Sequence, residues 1–329
     1  MVVLNKNIKL IVNYVAGPLI MIFLFYTVAT QLQKQPHWKD SLARMVEAAL
    51  GKERWKLYSM ILLMGVNWGL ETSKWRIAMK PVQIFNFTGA FKAVLAGTSI
   101  ASFTPNRVGE YLGRMLYVEP GNKLLSVAPT ILCSMAQMLV TLSLGTVGLY
   151  FFSSLSYQFQ VSWLNASVFR TITVVTAISG ICLGLIYFRF DPLVERVNRW
   201  LKKNRKNFYI PQEYTFRTLI SILAISVLRY GVFILQYFLL YSMFGIPLSG
   251  KQVFTGVSVM FVLMAIVPTL TFLTDLGFRW AAGIQIFRAY TSNTAGILAV
   301  SLAIWLINLI IPALIGSLLI LRIKLFRGR

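Results

Sequence analysis

The amino-acid sequence predicts an all-α polytopic membrane protein. Hydrophobic residues make up 57% of the chain and charged residues only 13%, and the mean hydropathy is +0.68. Lys and Arg outnumber Asp and Glu by 32 to 10 and cluster at the ends of long apolar runs. Such clusters follow the positive-inside rule. The formal charge of +22 therefore indicates membrane topology and affinity for anionic lipid, and it does not indicate nucleic-acid binding.

About six full spans are predicted, since a helix needs about 20 apolar residues to cross a bilayer. The run 11–31 is expected to be a retained first span, because it lacks the A-x-A site of a cleavable signal peptide. The segment 33–56 has apolar residues at helical spacing and is expected to lie in the interface as an amphipathic helix. Glu71, near the end of the second span, is expected to snorkel to the interface. The remaining spans are predicted at 55–75, 126–152, 168–188, 215–244 and 294–321.

The segment 88–118 is predicted to be a re-entrant helical hairpin. Its first apolar run is too short to cross a bilayer comfortably. Thr104 is a good N-cap and Pro105 suits the first helical position, so a new helix is expected to begin there. Glu110 and Arg114 are four residues apart, which places them on one face of this helix and allows them to pair.

The second half of the chain repeats this pattern at 253–290. An apolar run breaks at Pro268 and resumes as a second run. That run carries Asp275 and Arg279 at the same four-residue spacing, as expected of a duplicated site. Both broken helices are expected to restart near the middle of the membrane, where their positive ends favour an anion.

The distribution of basic residues supports both hairpins. The most basic loop, 189–214, is expected to be cytoplasmic. If 88–118 crossed the membrane once, a cytoplasmic amino terminus would place this loop outside. A hairpin places the loop and both termini in the cytoplasm. The chain then divides into repeats 1–152 and 153–329 of opposite orientation, a pattern typical of secondary transporters.

Charged residues inside the predicted membrane segments are the candidate site. On insertion scales each costs about 2.5–3.5 kcal/mol unless it is paired or hydrated. Arg229 lies mid-span and is expected to pair with Glu110 or Asp275. These charges either line a substrate path or form structural pairs, and Arg107 either binds a head-group phosphate or faces cytoplasmic water. The candidate substrate-binding residues are Arg107, Glu110, Arg114, Arg229, Asp275 and Arg279.

No catalytic residue, metal site or cofactor is predicted. The chain has one histidine, His37, and two cysteines, Cys133 and Cys182, without metal-ligand or redox spacing. Both cysteines fall inside apolar runs and are expected to be buried thiols.

Several motifs resemble the lysylphosphatidylglycerol synthase transmembrane-region family, also called the flippase-like domain family. The segment from Pro105 to Glu110, with Arg114 one turn later, is similar to that family's P-x-x-x-G-E-x-x-x-R segment. Asn67-Trp68 with Lys74-Trp75-Arg76 resembles its second helix. The segment from Pro268 to Arg279 resembles its second-half P…G-x-G-x-R-E segment, but Asp275 replaces the first glycine and Trp280 replaces the acid.

The resemblance implies an inner-membrane protein that moves lipids or lipid-linked head groups between leaflets. It does not imply lipid aminoacylation, because the soluble aminoacyl-transferase domain of the best-known member is absent from this sequence. The expected function is therefore transport of an anionic phospholipid or polyprenyl-phosphate-linked substrate, without enzymatic activity. A membrane-embedded transferase is an alternative, as is a non-transporting subunit of an envelope-synthesis complex. The expected location is the inner (plasma) membrane.

Overall fold

The computed structural model describes residues 54–102, 104, 107–159, 166–203, 214–267 and 272–321, together with 43, 46, 47 and 51. Within this part of the chain the structure consists of helices, turns and short connections, with no strand. The predicted first span and most of the segment 33–56 lie outside it. The helices are α1 (Arg54–Met79), α2 (Phe87–Ala101), α3 (Gly109–Met115), α4 (Val127–Phe159), α5 (Ala166–Phe188), α6 (Phe190–Lys203), α7 (Phe216–Met243), α8 (Gly250–Ile266), α9 (Phe272–Phe287), α10 (Thr294–Trp305) and α11 (Ile311–Leu321).

Four helical stretches in the described chain are long and apolar enough to cross a membrane. They lie in α4, α5, α7 and the α10–α11 unit, which is continuous through a π-helical turn at Leu306–Ile310. Helices α2 and α8 are apolar but shorter, as predicted for the first arm of each hairpin. Helix α1 covers the predicted second span, extends to Met79 and carries several charged residues. This architecture is that of a membrane protein.

Several pairs of helices pack across the two halves of the chain. Among them, α1 packs against α7, α2 packs against α11, and α8 packs against α4. Glycines allow the last two pairs to approach closely. A Cβ atom on Gly316 of α11 would collide with the backbone of Leu95 in α2, and one on Gly148 of α4 would collide with Ser258 of α8.

Each segment predicted as a hairpin contains two helices that pack against each other, α2 with α3 and α8 with α9. The first helix of each pair begins after a polar cap. Asn86 accepts a hydrogen bond from the Gly89 amide at 2.7 Å. Ser249 and Gln252 form a reciprocal capping box.

The α-helical part of the second helix in the first predicted hairpin, α3, begins at Gly109. Pro105, where the sequence predicts a helix to begin, lies outside the described residues. Thr104 contributes to the start of α3, because its hydroxyl accepts a hydrogen bond from the Gly109 amide at 2.7 Å.

The segment predicted as a basic loop, 189–214, contains a helix. Helix α6 follows the end of α5 almost directly and occupies residues 190–203. The run of Lys and Arg residues had concealed an apolar periodicity along one side of this segment. Helix α4 also continues to Phe159, beyond the predicted end of its span at 152.

Candidate functional site

The candidate site is centred on Glu71, a residue that was not among the candidate substrate-binding residues predicted from the sequence. Glu71 is buried in α1, two turns before the end of the helix. Its Oε1 atom accepts a hydrogen bond from Arg114 Nη2 at 2.8 Å, and its Oε2 atom lies 2.8 Å from Lys74 Nζ. Arg229 Nη1 also donates to Oε2. One carboxylate therefore contacts three cations from α1, α3 and α7, so the prediction that Glu71 snorkels to the interface is wrong.

The α1 sequence explains why these groups meet. Asn67, Glu71 and Lys74 are spaced by four and three residues, so they form a polar stripe on one side of an otherwise apolar helix. All three are buried. An unpaired charge in such a place would be costly, so their partners on α3 and α7 fix how those helices dock on α1.

Arg114 is as enclosed as Lys74, since 1% of each side chain is exposed. It pairs with Glu110 on its own helix, as the four-residue spacing predicted, and with Glu71 on α1. Its guanidinium carbon lies 5.5 Å from the centre of the Trp75 ring, and the indole N–H donates to Thr130 at 3.0 Å. Arg114 thus holds α3 against α1 through charge, hydrogen bonding and ring contact.

Arg229 is held by three groups on two helices. Besides its contact with Glu71, its Nε atom donates to Asn67 Oδ1 at 2.9 Å and its Nη1 atom to Gln137 Oε1 at 3.2 Å. The expectation that Glu110 or Asp275 would pair with Arg229 is therefore wrong. Glu71 is the carboxylate that contacts Arg229, because α1 packs directly on α7.

A chain of buried amides connects Asn67, in the first half of the sequence, to Asn308 and Gln236 in the second half. Asn67 Nδ2 donates to Asn308 Oδ1 at 3.4 Å, and Asn308 Nδ2 donates to Gln236 Oε1 at 3.0 Å. Asn308 lies in the π-helical turn between α10 and α11. Such turns concentrate at functional positions in helices.

The second predicted pair, Asp275 with Arg279, is also present. Arg279 Nε lies 2.7 Å from Asp275 Oδ2, and Arg279 Nη1 donates to Tyr237 Oη at 3.3 Å. This pair lies apart from the Glu71 cluster and has no contact with it. Tyr237 is two turns along α7 from Arg229, so the two groups are about 12 Å apart along that helix.

Arg107 differs from the other site arginines because half of its side chain is exposed. The exposed fraction is 51%, and its Nε atom lies 3.9 Å from Glu110 Oε2. Its φ angle of 59° is the one positive value among the described residues other than glycine. A left-handed conformation disfavours a bulky residue and is often tolerated at functional positions.

These groups line a cavity of about 360 Å³. Its charged wall contains Glu71, Lys74, Arg107, Glu110, Arg229 and Arg279, and its apolar wall is built mainly by Met138, Phe233, Phe261 and Met264. Of the sequence-predicted residues, Arg107, Glu110, Arg229 and Arg279 face the cavity, whereas Arg114 and Asp275 support them from behind.

The site has a surplus of positive charge. Five cations (Lys74, Arg107, Arg114, Arg229 and Arg279) share three carboxylates (Glu71, Glu110 and Asp275), which leaves a formal surplus of two positive charges. An anion in the cavity would therefore be attracted. Within the described residues, no three His, Cys, Asp or Glu side chains are grouped to hold a metal ion.

Sequence reasoning missed Glu71, Lys74 and Gln137. The Asn67, Glu71 and Lys74 spacing was a usable signal, since a polar stripe inside an apolar helix must face other protein groups or water. Gln137 gave no comparable signal, because a single amide in a long apolar helix is common.

Comparison with known families agrees with this architecture. The profile described as lysylphosphatidylglycerol synthase TM region matches residues 12–316 of the 329. No curated protein matches the chain. The matched range includes every helix of the cavity and ends within α11. This chain therefore belongs to the lysylphosphatidylglycerol synthase TM region family of membrane proteins.

Proposed function

We propose that this protein moves an anionic phospholipid, or another lipid-linked phosphate head group, between the leaflets of the membrane. The observation that carries the proposal is the cavity, which combines a surplus of two positive charges with an apolar wall. A phosphate head group would bind the arginines, and an acyl or prenyl chain would contact the aromatic and methionine side chains.

The proposal includes an inverted repeat of residues 1–152 and 153–329, with re-entrant hairpins at about 88–118 and 253–290. The pattern of helix contacts supports it. Helix α2 of the first half packs on the last helix of the second half, and α8 of the second half packs on α4, the last helix of the first. Helices α1 and α7, which are equivalent in the two repeats, pack on each other. A pseudo-two-fold axis relating the halves would produce these three pairings.

Within this arrangement, the arginines offer two stations for a head group. Arg107 and Arg229 form the first, beside the Glu71 cluster, and Arg279 forms the second. Phe233 and Phe261 line the section between them, and their rings are 5.9 Å apart. A phosphate would pass from one station to the other as one repeat rocks against the other, while its hydrocarbon chain stays in the bilayer.

Arg107 is the sharpest probe of this proposal. The half-exposed side chain makes one long contact with Glu110 at 3.9 Å, so its loss should leave the fold intact. We expect Arg107→Gly to relieve the left-handed backbone strain and to keep or slightly raise the unfolding temperature. We also expect it to slow lipid transfer, because the first station loses its most accessible cation.

The measurement is dithionite quenching of acyl-NBD phosphatidylglycerol in proteoliposomes, compared with acyl-NBD phosphatidylcholine. Wild-type protein should transfer the anionic lipid faster than empty vesicles do. Lys92→Ala is the matched control, because Lys92 is an exposed cation on α2 outside the cavity. No transfer of any lipid above empty vesicles would refute the function, and equal rates for the two variants would refute the role of Arg107.

A further inference from the structure

Helix α6 has an outer surface that the proposed transport path does not use. The helix follows directly after α5 and is attached to the protein by one side only. Phe190 and Val194 are buried, the Phe190 and Tyr214 rings are 5.5 Å apart, and the Tyr214 amide donates to Asp191 Oδ2 at 3.2 Å. These contacts fix the rotation of α6 about its axis.

With that rotation fixed, part of the apolar face points away from the protein. Leu193, Val197 and Trp200 follow one another at four- and three-residue spacing, so they form one stripe. They are 41%, 40% and 58% exposed, respectively. The helix thus buries one half of its apolar face against the protein and presents the other half outward.

One basic residue, Arg196, lies beside this stripe, and two more lie on the polar side of the helix. At 100° per residue, Arg196 is about 40° from Trp200 around the helix, Arg199 about 100° and Lys202 about 160°. All three are exposed. An exposed apolar stripe on a helix whose polar side carries Lys and Arg is the pattern of a helix that lies in the plane of a membrane interface.

The position of α6 matches that pattern. Helix α5, which is long and apolar enough to cross a membrane, exposes Ile181, Leu185 and Phe188 as it approaches its end. The exposed stripe of α6 begins five residues after Phe188. The apolar surface that would face lipid on α5 thus continues onto α6 at the level where α5 ends.

We propose that α6 lies flat on the bilayer, inserts Leu193, Val197 and Trp200 below the head groups, and binds anionic lipid through Arg196, Arg199 and Lys202. Charge complementarity identifies the occupant, since a helix with an apolar stripe and a basic polar side suits a negatively charged lipid surface. This surface is separate from the transport cavity. The lipids that bind to it stay beside the protein and are not transported.

The first test measures depth with single spin labels in reconstituted protein. Val197→Cys and Arg199→Cys are made in a Cys182→Ser background, where the remaining Cys133 is buried, and the unmodified background serves as the blank. In vesicles of phosphatidylcholine and phosphatidylglycerol, the label at 197 should collide more with oxygen than with a water-soluble nickel complex. The label at 199 should show the reverse. Equal access of the nickel complex to both labels would overturn the insertion.

The second test measures the lipid preference. The variant R196Q/R199Q/K202Q should lower the preference of the protein for spin-labelled phosphatidylglycerol over phosphatidylcholine by at least about twofold, since each cation near the surface contributes attraction. The control K80Q/R170Q/R217Q removes three exposed cations elsewhere and should have a smaller effect. An equal fall in both variants, or no fall in the first, would overturn lipid binding by α6.

Discussion

The two helical hairpins carry the same acid and base spacing but use it in different surroundings. In the first, Arg114 is 1% exposed and shares Glu110 with a second carboxylate from α1. In the second, Arg279 is 19% exposed, and its two partners are the Asp275 carboxylate and a tyrosine hydroxyl. The first pair is built into the contact between helices, whereas the second is a local pair at the edge of the cavity.

Backbone packing shows the same difference. Helix α3 lies directly on α2, so that a Cβ atom on Gly113 would collide with the backbone of Ala96 and Gly97. In α9, a Cβ atom on Gly277 would meet nothing within 4 Å. The second hairpin is also closely packed at one point, since a Cβ atom on Gly256 of α8 would collide with the Phe287 ring of α9. Helix α3 is therefore fixed by backbone contact, whereas α9 has open space beside Gly277. In the proposed transport cycle, we infer that α9 moves more than α3.

The largest effect should come from Glu71→Gln. This change keeps the size of the side chain but removes the carboxylate that pairs with Lys74 and Arg229, and it leaves Arg114 with Glu110 alone. Breaking a buried ion pair on one side costs about 3–5 kcal/mol. Thermal or denaturant unfolding in detergent should show a loss in this range.

Glu195→Gln is the matched control for this change, because Glu195 is exposed on α6. The unfolding free energy of Glu195→Gln should stay within about 0.5 kcal/mol of the wild-type value, as for most surface substitutions. If the two variants unfolded alike, Glu71 would not be the centre of the scaffold. A double variant with Arg229→Gln should lose less than the sum of the single losses, because the two residues are coupled.

The position of Glu71 also shows where sequence reasoning stops. Hydropathy located the long helices and the two broken ones, because apolar runs and their interruptions are local features. Two of the partners of Glu71, Arg114 and Arg229, are 43 and 158 residues away in the chain. No local period encodes such contacts. The pairing of Glu110 with Arg114 was predictable, since it depends on helix geometry alone.

The close approach of α3 to α2 is a second feature that local patterns do not encode. Helix α3 lies on α2 with almost no space between their backbones, and glycines at 109 and 113 permit that approach. Tertiary packing therefore requires glycine at these two positions.

Arg114→Ala and Arg279→Ala test the difference between the hairpins directly. Loss of Arg114 removes a buried partner of two carboxylates and should cost about 3–5 kcal/mol. Loss of Arg279 should cost less, about 1.5–3 kcal/mol, the range for hydrogen bonds to charged groups, because Arg279 is more exposed than Arg114 and pairs with one carboxylate. Unfolding of both variants under the same conditions measures this difference, with Lys92→Ala as the control. Equal losses would mean that the two hairpins are equally part of the scaffold.

The rate of lipid transfer should also differ between Arg114→Ala and Arg279→Ala. The guanidinium of Arg279 lines the cavity and that of Arg114 does not. Relative to the amount of folded protein, Arg279→Ala should therefore slow transfer more than Arg114→Ala does. If Arg114→Ala slowed transfer more than Arg279→Ala does, the head-group contact would belong to the first hairpin alone.

The smallest effects should come from adding a single methyl group to each hairpin. Gly113→Ala forces α3 away from α2 and should destabilise the protein by about 1–3 kcal/mol, the usual cost of overpacking. Gly277→Ala adds the methyl group to open space in a helix interior, where alanine is favoured over glycine by about 0.8–1.0 kcal/mol. It should therefore raise the unfolding temperature. If α9 has to shift during transport, Gly277→Ala should slow lipid transfer even though it stabilises the fold. A variant that is both more stable and fully active would show that α9 works as a rigid helix and that the second hairpin is as fixed as the first.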